Sequence, residues 1–406
     1  MTKVLDQDVI SGLIARPRGE DPVVTLYLKS WGGLAERKAG LKNLLREGDG
    51  AIEEDTGWDA ERKKLARGLL ESLRQRADTL LQNAPSKGRG SHALFAGVGW
   101  EQTLTVPVDI RDRVVVDRSP YASPLSSLID QYERYGVILC DAKKARLFGV
   151  YLAELDGWEE IENDHEKSRS APAGGPARRG GSGKLGGGYH GLEALRRKNH
   201  AEYVLHLHLS DVADQAFRRF KLRPYDRLIL GGPSKILPQL EEHLHSYLKQ
   251  RIVAREQLPV DLSRHAALQK VLPIEARVEE EKERSLLAEI ADRLGGSGLA
   301  TAGLDETLRC LFFGKVRTLV VLDEDVRPGR ECPECHFLFL RPEDEREKTP
   351  TLVECPVCKR STRRIPDVVD EAVELAILSG ASVEHVAFAK DELRRLGGMA
   401  AVLRFK

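Results

Sequence analysis

GLDETLRCLFFGKVRTLVV, residues 303–321, decides how the last third of this chain folds. Its first half, 303–313, sets Leu304, Leu308 and Leu311 at helical spacing, and RTLVVLD, 317–323, is a short apolar run of strand type. A helix leading into a strand is the alternation of an α/β domain. Downstream, Pro366 to Ser379 reads as a helix with proline near its first turn, Ser382 to Phe388 as a strand and Ala400 to Phe405 as a closing strand. Upstream, Ile274 to Leu294 reads as a highly charged helix, and its acidic run Glu279 to Glu283 is expected on a solvated face.

Within this domain stand Cys332, Cys335, Cys355 and Cys358, arranged as C-x2-C, nineteen intervening residues and C-x2-C. Each pair, CPEC and CPVC, can form a tight turn that aims two thiolates at one ion. Two such turns complete a closed tetrahedral four-sulfur shell, the spacing of a structural Zn2+ site. A redox dithiol is the competing use of such pairs. His336 adjoins Cys335 and would ligate only in place of a cysteine, whereas Cys140 and Cys310 fit buried small hydrophobes. The cysteine module is therefore expected as an insertion in an α/β domain.

The whole chain has 406 residues, more than one ordinary core, so two or three domains are expected. Formal net charge is zero, with 41% hydrophobic and 31% charged residues, the composition of a globular protein. No apolar run is long enough to span a membrane, and residues 1–30 carry acids and prolines where a signal peptide needs an unbroken apolar core. The expected location is the cytoplasm. Oligomeric state is not readable.

From Asp6 to Ser126 the pattern gives an amphipathic start, a strand at Pro22 to Leu28, a long charged helix from Asp59 to Gln82, and a strand-rich piece, Ser91 to Val116, suited to antiparallel pairing. SPYASPL closes this segment as a turn. YGVILCD and KARLFGVYL, separated by Asp141 to Lys143, then read as a hairpin, Leu192 to Phe220 as a helix, and DRLILGG with PSKILPQLEEHLHSYL as a strand entering a helix. The turn Gly231 to Lys235 lacks phosphate-loop spacing and is read as a plain strand-to-helix connection. His206 and His208 suit a helix flank.

Between hairpin and helix runs KSRSAPAGGPARRGGSGKLGGGYHGL, 167–192, with nine glycines, five Lys/Arg and no acid. Such a stretch offers too little apolar surface to fold alone, and its cations favour a phosphate-rich partner. Arg196, Arg197 and Lys198 follow directly. His190 and His200 flank the end of this stretch and read as phosphate contacts or helix-surface residues rather than as an acid or base.

The order hairpin, glycine-rich loop, basic helix, LILGG turn, GLDETLRCLFFGKVRTLVV, cysteine module, VVDEAVELAILSGASVEHV and LGGMAAVLRF resembles the archaeal and eukaryotic class-1 peptide chain release factors and their pelota relatives, over about residues 135–406. Archaeal members resemble this chain in carrying a cysteine mini-domain at that place. The resemblance implies an α/β multidomain, release-factor-like protein. It would comprise a divergent α/β N-terminal domain (1–130), a ribonuclease-H-like middle domain (131–272) whose loop is 167–191, and a pelota-like α/β C-terminal domain (273–406) with a zinc-ribbon insertion at 330–362. It further implies a ribosomal setting, with rRNA and peptidyl-tRNA as partners and a translational GTPase as a candidate one.

The chain also departs from the family. In the family the loop carries a Gly-Gly-Gln motif that promotes peptidyl-tRNA hydrolysis. Here no glutamine occurs between Gln131 and Gln215; Gly174-Gly175 is followed by Pro176, so no catalytic residue is carried over. The stop-codon-reading Asn-Ile-Lys-Ser and Tyr-x-Cys-x-x-x-Phe motifs are missing from 1–126, which argues against decoding. What remains resembles the divergent bacterial relatives of the family, for which a role in ribosome rescue or quality control is implied. The expected RNA contacts are Gly174, Gly175, Arg178, Arg179, Lys184, Arg196, Arg197 and Lys198. Two other readings compete: a peptidyl-tRNA ester hydrolase using loop backbone to place water, and a zinc-containing protein–protein adaptor without RNA, toward which zero net charge leans.

Overall fold

The computed structural model describes residues 5, 7–16, 19–55, 57–83, 85, 88–165, 189–222, 225–296, 298–323, 325–341 and 353–406, without the side chains of 7 and 189–197. Contacts divide the chain into two compact units, Met1–Tyr132 together with Glu279–Lys406, and Glu133–Val278.

The N-terminal part of the first unit runs α1 (Gln7–Ile14), β1 (Val23–Lys29), α2 (Leu34–Glu54), α3 (Ala60–Gln82), β2 (Ser91–Gly97), β3 (Trp100–Val106), β4 (Arg113–Asp117) and α4 (Ser123–Gln131). The strands form an antiparallel sheet in the order β3-β2-β1-β4. Asp59 opens α3 by accepting the Arg62 backbone N–H at 2.8 Å, a normal N-cap. Ala66, Leu70, Leu73, Ala77 and Leu81 then recur every three or four residues and lie buried against Val24, Leu26 and Leu28 of β1. Two elements here carried no clear pattern. In α2 the buried face is only Leu41, Leu44, Gly48 and Ile52; Gly48 is small because a Cβ there would stand 3.2 Å from the Leu70 methyls. The SPYASPL stretch, expected as a turn, supplies the first residues of α4, with Pro124 in its first turn.

The second unit contains β5 (Tyr135–Cys140), β6 (Lys144–Tyr151), β7 (Glu154–Glu162), α5 (Tyr189–Leu222), β8 (Arg227–Gly231), α6 (Leu237–His243), α7 (Ser246–Lys249), β9 (Ile252–Glu256) and the start of α8 (Arg264–Gly295). Its sheet has the order β7-β6-β5-β8-β9; β5, β6 and β7 are antiparallel, and β8 and β9 run parallel to β5. This is the ribonuclease-H-like arrangement. Central β5 is buried on both faces. Ile138 and Cys140 join the core under α5 and α6, and Tyr135, Val137 and Leu139 join the core under α8. Strand β7, ELDGWEEIE, was not anticipated because its acids mask an edge strand. Helix α8 begins at Arg264 rather than Ile274 and carries Pro273 inside it.

Returning to the first unit, α8 is followed by β10 (Ala300–Ala302), α9 (Leu304–Phe312), β11 (Val316–Leu322), β12 (Gly329–Glu331), β13 (Leu338–Phe339), β14 (Arg363–Ile365), α10 (Val368–Leu378), β15 (Ser382–Val386), α11 (Lys390–Arg395) and β16 (Met399–Leu403). The main sheet, β10-β16-β11-β15, is covered on both faces. Leu319, Val321, Met399, Ala401 and Leu403 face α9 and α10, while Val320, Leu322, Ala400 and Val402 face the residues Leu287 and Ile290 of α8 and Leu393 of α11. The three short strands β13-β12-β14 form a separate antiparallel sheet between β11 and α10, which is the inserted cysteine module.

The solvated-face expectation for the acidic run of α8 holds only in part: Glu281 is exposed and Glu280 half-buried, whereas Glu279 and Glu283 are each 3% exposed. Glu279 meets Lys282 at 3.2 Å. Glu283 accepts the backbone N–H groups of Ala387, Phe388 and Ala389 at 2.8, 2.9 and 2.7 Å, filling the turn that opens α11. A carboxylate buried this way serves as a fixed acceptor for three otherwise orphaned donors.

Burial of His385 on β15 pushes its imidazole down to about 4, against the opposing pull of Asp323. It is therefore neutral in the fold, and its contribution to stability is complete above the ordinary value of about 6.5 and is lost as pH falls toward about 4. Urea titrations should show a loss of about 2 kcal/mol between pH 6.5 and 5 that His385→Gln removes. An unchanged acid limb in the variant would show that His385 is not its source.

Candidate functional site

The cysteine module is built from two matching turns. In the first, Cys332 follows β12, His336 adopts φ 59° and donates its backbone N–H to the Cys332 carbonyl at 2.7 Å, and the Cys332 N–H returns to the Phe337 carbonyl at 3.0 Å. In the second, Lys359 adopts φ 62° and donates to the Cys355 carbonyl at 3.0 Å, and the Cys355 N–H returns to Arg360 at 2.7 Å. Left-handed backbone at a residue bearing a side chain is costly, and it recurs at the same place in both turns. Its effect is to fold each C-P-x-C so that both sulfurs point the same way.

The four sulfurs converge. Cys332 Sγ lies 3.4 Å from Cys358 Sγ, Cys335 Sγ lies 3.6 Å from Cys355 Sγ, and all four lie within 4.8 Å of one another. A four-sulfur shell with Zn–S bonds of about 2.3 Å has sulfur–sulfur edges of about 3.8 Å, so these residues fit the ion. Phe337 packs beside the sulfurs, edge-on to Phe312 at 5.2 Å and stacked with Phe339 at 6.0 Å. His336 does not face the cluster as a substitute ligand; its Nδ1 is 2.8 Å from Glu331 Oε1. Glu331 is fully buried and also accepts from Arg363 Nε at 3.0 Å, which ties β12 to β14 beneath the cysteines. Nothing in the sequence pattern marked Glu331 or Arg363 for this role. Cys140 is buried, and that burial pushes its thiol up to about 12, so it is inert.

The second candidate is the basic stretch. Gly174, Gly175, Arg178, Arg179 and Lys184 lie outside the described residues, as do the side chains of Arg196 and Arg197. Helix α5 starts at Tyr189, directly after the glycine-rich stretch, and carries Arg196, Arg197 and Lys198 in its first turns. Lys198 is exposed, with Glu202 at 3.9 Å one turn later. On the same helix His206 is exposed and lies 2.7 Å from His243 Nε2, while His208 is buried. Burial of His208 holds its imidazole below the ordinary value. No helix among the described residues is long and apolar enough to cross a membrane.

Residues 120–276 match the family described as bacterial archaeo-eukaryotic release factor family 10. Peptide chain release factor subunit 1 of Archaeoglobus fulgidus is 28% identical over 309 residues, covering 71% of this chain and 70% of its own length. The Methanocaldococcus jannaschii protein of the same name is 25% identical over 385 residues, covering 85% of each. Among solved structures, the archaeal translation termination factor aRF1 aligns over 94% of this chain and 92% of its own at 18% identity, with a TM-score of 0.23. Archaeoglobus fulgidus Pelota aligns over 78% and 80% at 14% identity, with a TM-score of 0.31.

Proposed function

We propose that the chain is a divergent member of the release-factor and pelota-like family with a translation-related role, and that it binds ribosomes in a rescue or quality-control state. The observation that carries this is the acid-free Gly/Arg stretch feeding straight into the basic start of α5. Arg178, Arg179, Lys184, Arg196, Arg197 and Lys198 grip rRNA or tRNA phosphates, and Gly174 and Gly175 let backbone approach the RNA closely. Residues 1–130, 131–272 and 273–406 act as three functional domains. The protein works in the cytoplasm, and a translational GTPase is a candidate partner. The four cysteines hold Zn2+ in a closed shell, which keeps the module folded and leaves no open coordination position for chemistry.

Binding should follow counterion release. With about six phosphates neutralised, raising salt fourfold weakens binding on the order of a thousandfold. The intact chain should cosediment with ribosomes at low salt, and replacing the six cations with alanine should abolish this. Cosedimentation unchanged by the replacements would end the phosphate-grip reading.

Stop-codon decoding is not proposed, since its motifs are missing. Hydrolysis is tested separately by peptide release from peptidyl-tRNA on stalled ribosomes, comparing the intact chain with one lacking residues 172–189. Because no Gly-Gly-Gln is present, binding without release is the expected outcome; release that disappears with the deletion would instead establish an esterase that places water by backbone alone.

A further inference from the structure

The second unit carries a cationic surface at the opposite end of α5 from the glycine-rich stretch. Residues 215–225 and 243–255 together hold seven Lys/Arg and no acid, in a chain whose formal net charge is zero. The first segment is the end of α5 and its exit; the second runs from the end of α6 through α7 into β9. Aromatic rings join them. Phe217 of α5 packs on His245 with ring centroids 4.2 Å apart and meets Tyr247 of α7 edge-on at 6.3 Å. Each of these rings also holds a cation: Lys221 Nζ lies 5.1 Å from the Phe217 centroid, and the Arg251 guanidinium lies 3.7 Å from that of Tyr247. His245 is exposed, and its Nδ1 accepts the Tyr247 backbone N–H at 3.1 Å as the N-cap of α7. Backed by Phe217 and fixed by that bond, it is a ring with one face open to solvent.

Two cations of these segments are neutralised, Arg219 by Glu159 at 3.2 Å and Arg255 by Glu241 at 2.7 Å. Four others are not. Arg218, Lys221 and Lys249, all exposed, and half-buried Arg251 form no ion pair among the described residues, and the bordering acids Asp214 and Glu242 pair with none of them. Arg223 lies outside the described residues. Arg251 is fixed by carbonyls instead: its Nε donates to Tyr225 at 3.1 Å and its Nη1 to Tyr247 at 2.8 Å, which orients the guanidinium without cancelling its charge. Lys249 Nζ likewise donates to the Glu242 carbonyl at 3.0 Å. Uncompensated cations around an open ring offer a polyanion both phosphate attraction and a stacking platform, the combination that single-stranded nucleic acid uses.

We infer that this face is a second RNA site: Arg218, Lys221, Lys249 and Arg251 hold the phosphates of a single-stranded segment, and a base stacks on His245. The choice of RNA as occupant rests on the proposed ribosomal reading. Lys221 stands 23 residues beyond Lys198 on α5, about 35 Å at 1.5 Å per residue, and Glu202, Asp211 and Asp214 interrupt the basic charge between them. The two sites are therefore separate, and α5 sets the distance between the RNA segments they contact.

The test measures fluorescence anisotropy of a labelled oligouridine of about 12 nucleotides with the full-length chain carrying alanine at Arg178, Arg179, Lys184, Arg196, Arg197 and Lys198, so that the first site is silent. This chain should still bind at low salt. Adding Arg218→Gln, Lys221→Gln and Lys249→Gln, all at exposed positions where folding is not at stake, should weaken binding at least tenfold. It should also flatten the slope of log affinity against log salt by about two, since three phosphate contacts are lost at about 0.7 each. His245→Asn keeps a capping side chain for α7 and removes the ring; it should weaken binding at least fivefold with the salt slope unchanged. No binding by the six-alanine chain, or an affinity and slope unmoved by the three glutamines, overturns the second site alone, because cosedimentation of the intact chain with ribosomes reports separately on the proposed function. Displacement of the oligouridine by polyglutamate at equal charge concentration would overturn RNA as the occupant in favour of an acidic protein segment.

Discussion

Cys355→Ser should bind no stoichiometric zinc and leave residues 329–341 and 353–365 without a fixed structure, the largest change expected from any single substitution in this chain. The reason is the small size of the module. Its apolar content near the cysteines is Phe312, Phe337 and Phe339 around the buried Cys332 and Cys355, and its three strands have three, two and three residues. Structural zinc in modules of this kind supplies about 10–16 kcal/mol, far more than so few side chains can. Metal content by mass spectrometry and loss of amide protection across the module check the expectation. Cys310→Ser is the matched control and should leave both unchanged, because Cys310 lies on α9 outside the cluster.

Glu283→Ala should cost on the order of 3–5 kcal/mol, the second largest effect, since three backbone N–H groups, that of Ala389 buried and those of Ala387 and Phe388 part-buried, lose the acceptor they share at once, and an orphaned buried donor costs roughly 1–3 kcal/mol before local relaxation. Glu283→Gln keeps one acceptor oxygen and should lose less than half as much. Urea unfolding read alongside exchange at Ala387, Phe388 and Ala389 distinguishes this from a general loss of packing, because those three amides should lose protection first. A cost below about 1 kcal/mol would mean that water replaces the carboxylate freely.

The misreading of Glu283 shows where sequence periodicity stops. A run of acids on a helix has the same pattern whether it meets water or caps a neighbouring turn, and the turn it caps, 387–389, lies a hundred residues downstream. The same holds for SPYASPL: serine, tyrosine and serine in a proline-bounded stretch spell a turn, and nothing local tells that Ser119, Tyr121 and Ser123 hydrogen-bond Glu371, Asp367 and Asp370 at the start of α10. By contrast, the helix and strand of 303–322, the hairpin of β5 and β6 and the four-cysteine spacing were legible because their signals are local. Leucines repeat along one helix face, apolar strands alternate between two cores, and a C-x2-C turn needs only its own backbone. Strand β7 and helix α2 fell between these cases. Acids on an edge strand, and a buried face of just Leu41, Leu44, Gly48 and Ile52, leave too little apolar periodicity to read.

The proposed ribosomal role turns on what the basic stretch touches. A photo-crosslinking residue placed at position 184, in an otherwise intact chain bound to stalled ribosomes, tests this most directly. Crosslinks to large-subunit rRNA or to peptidyl-tRNA are expected, and they should vanish when Arg178, Arg179, Arg196, Arg197 and Lys198 are replaced with alanine. Crosslinks confined to protein, or none at a concentration where the chain binds, would contradict it.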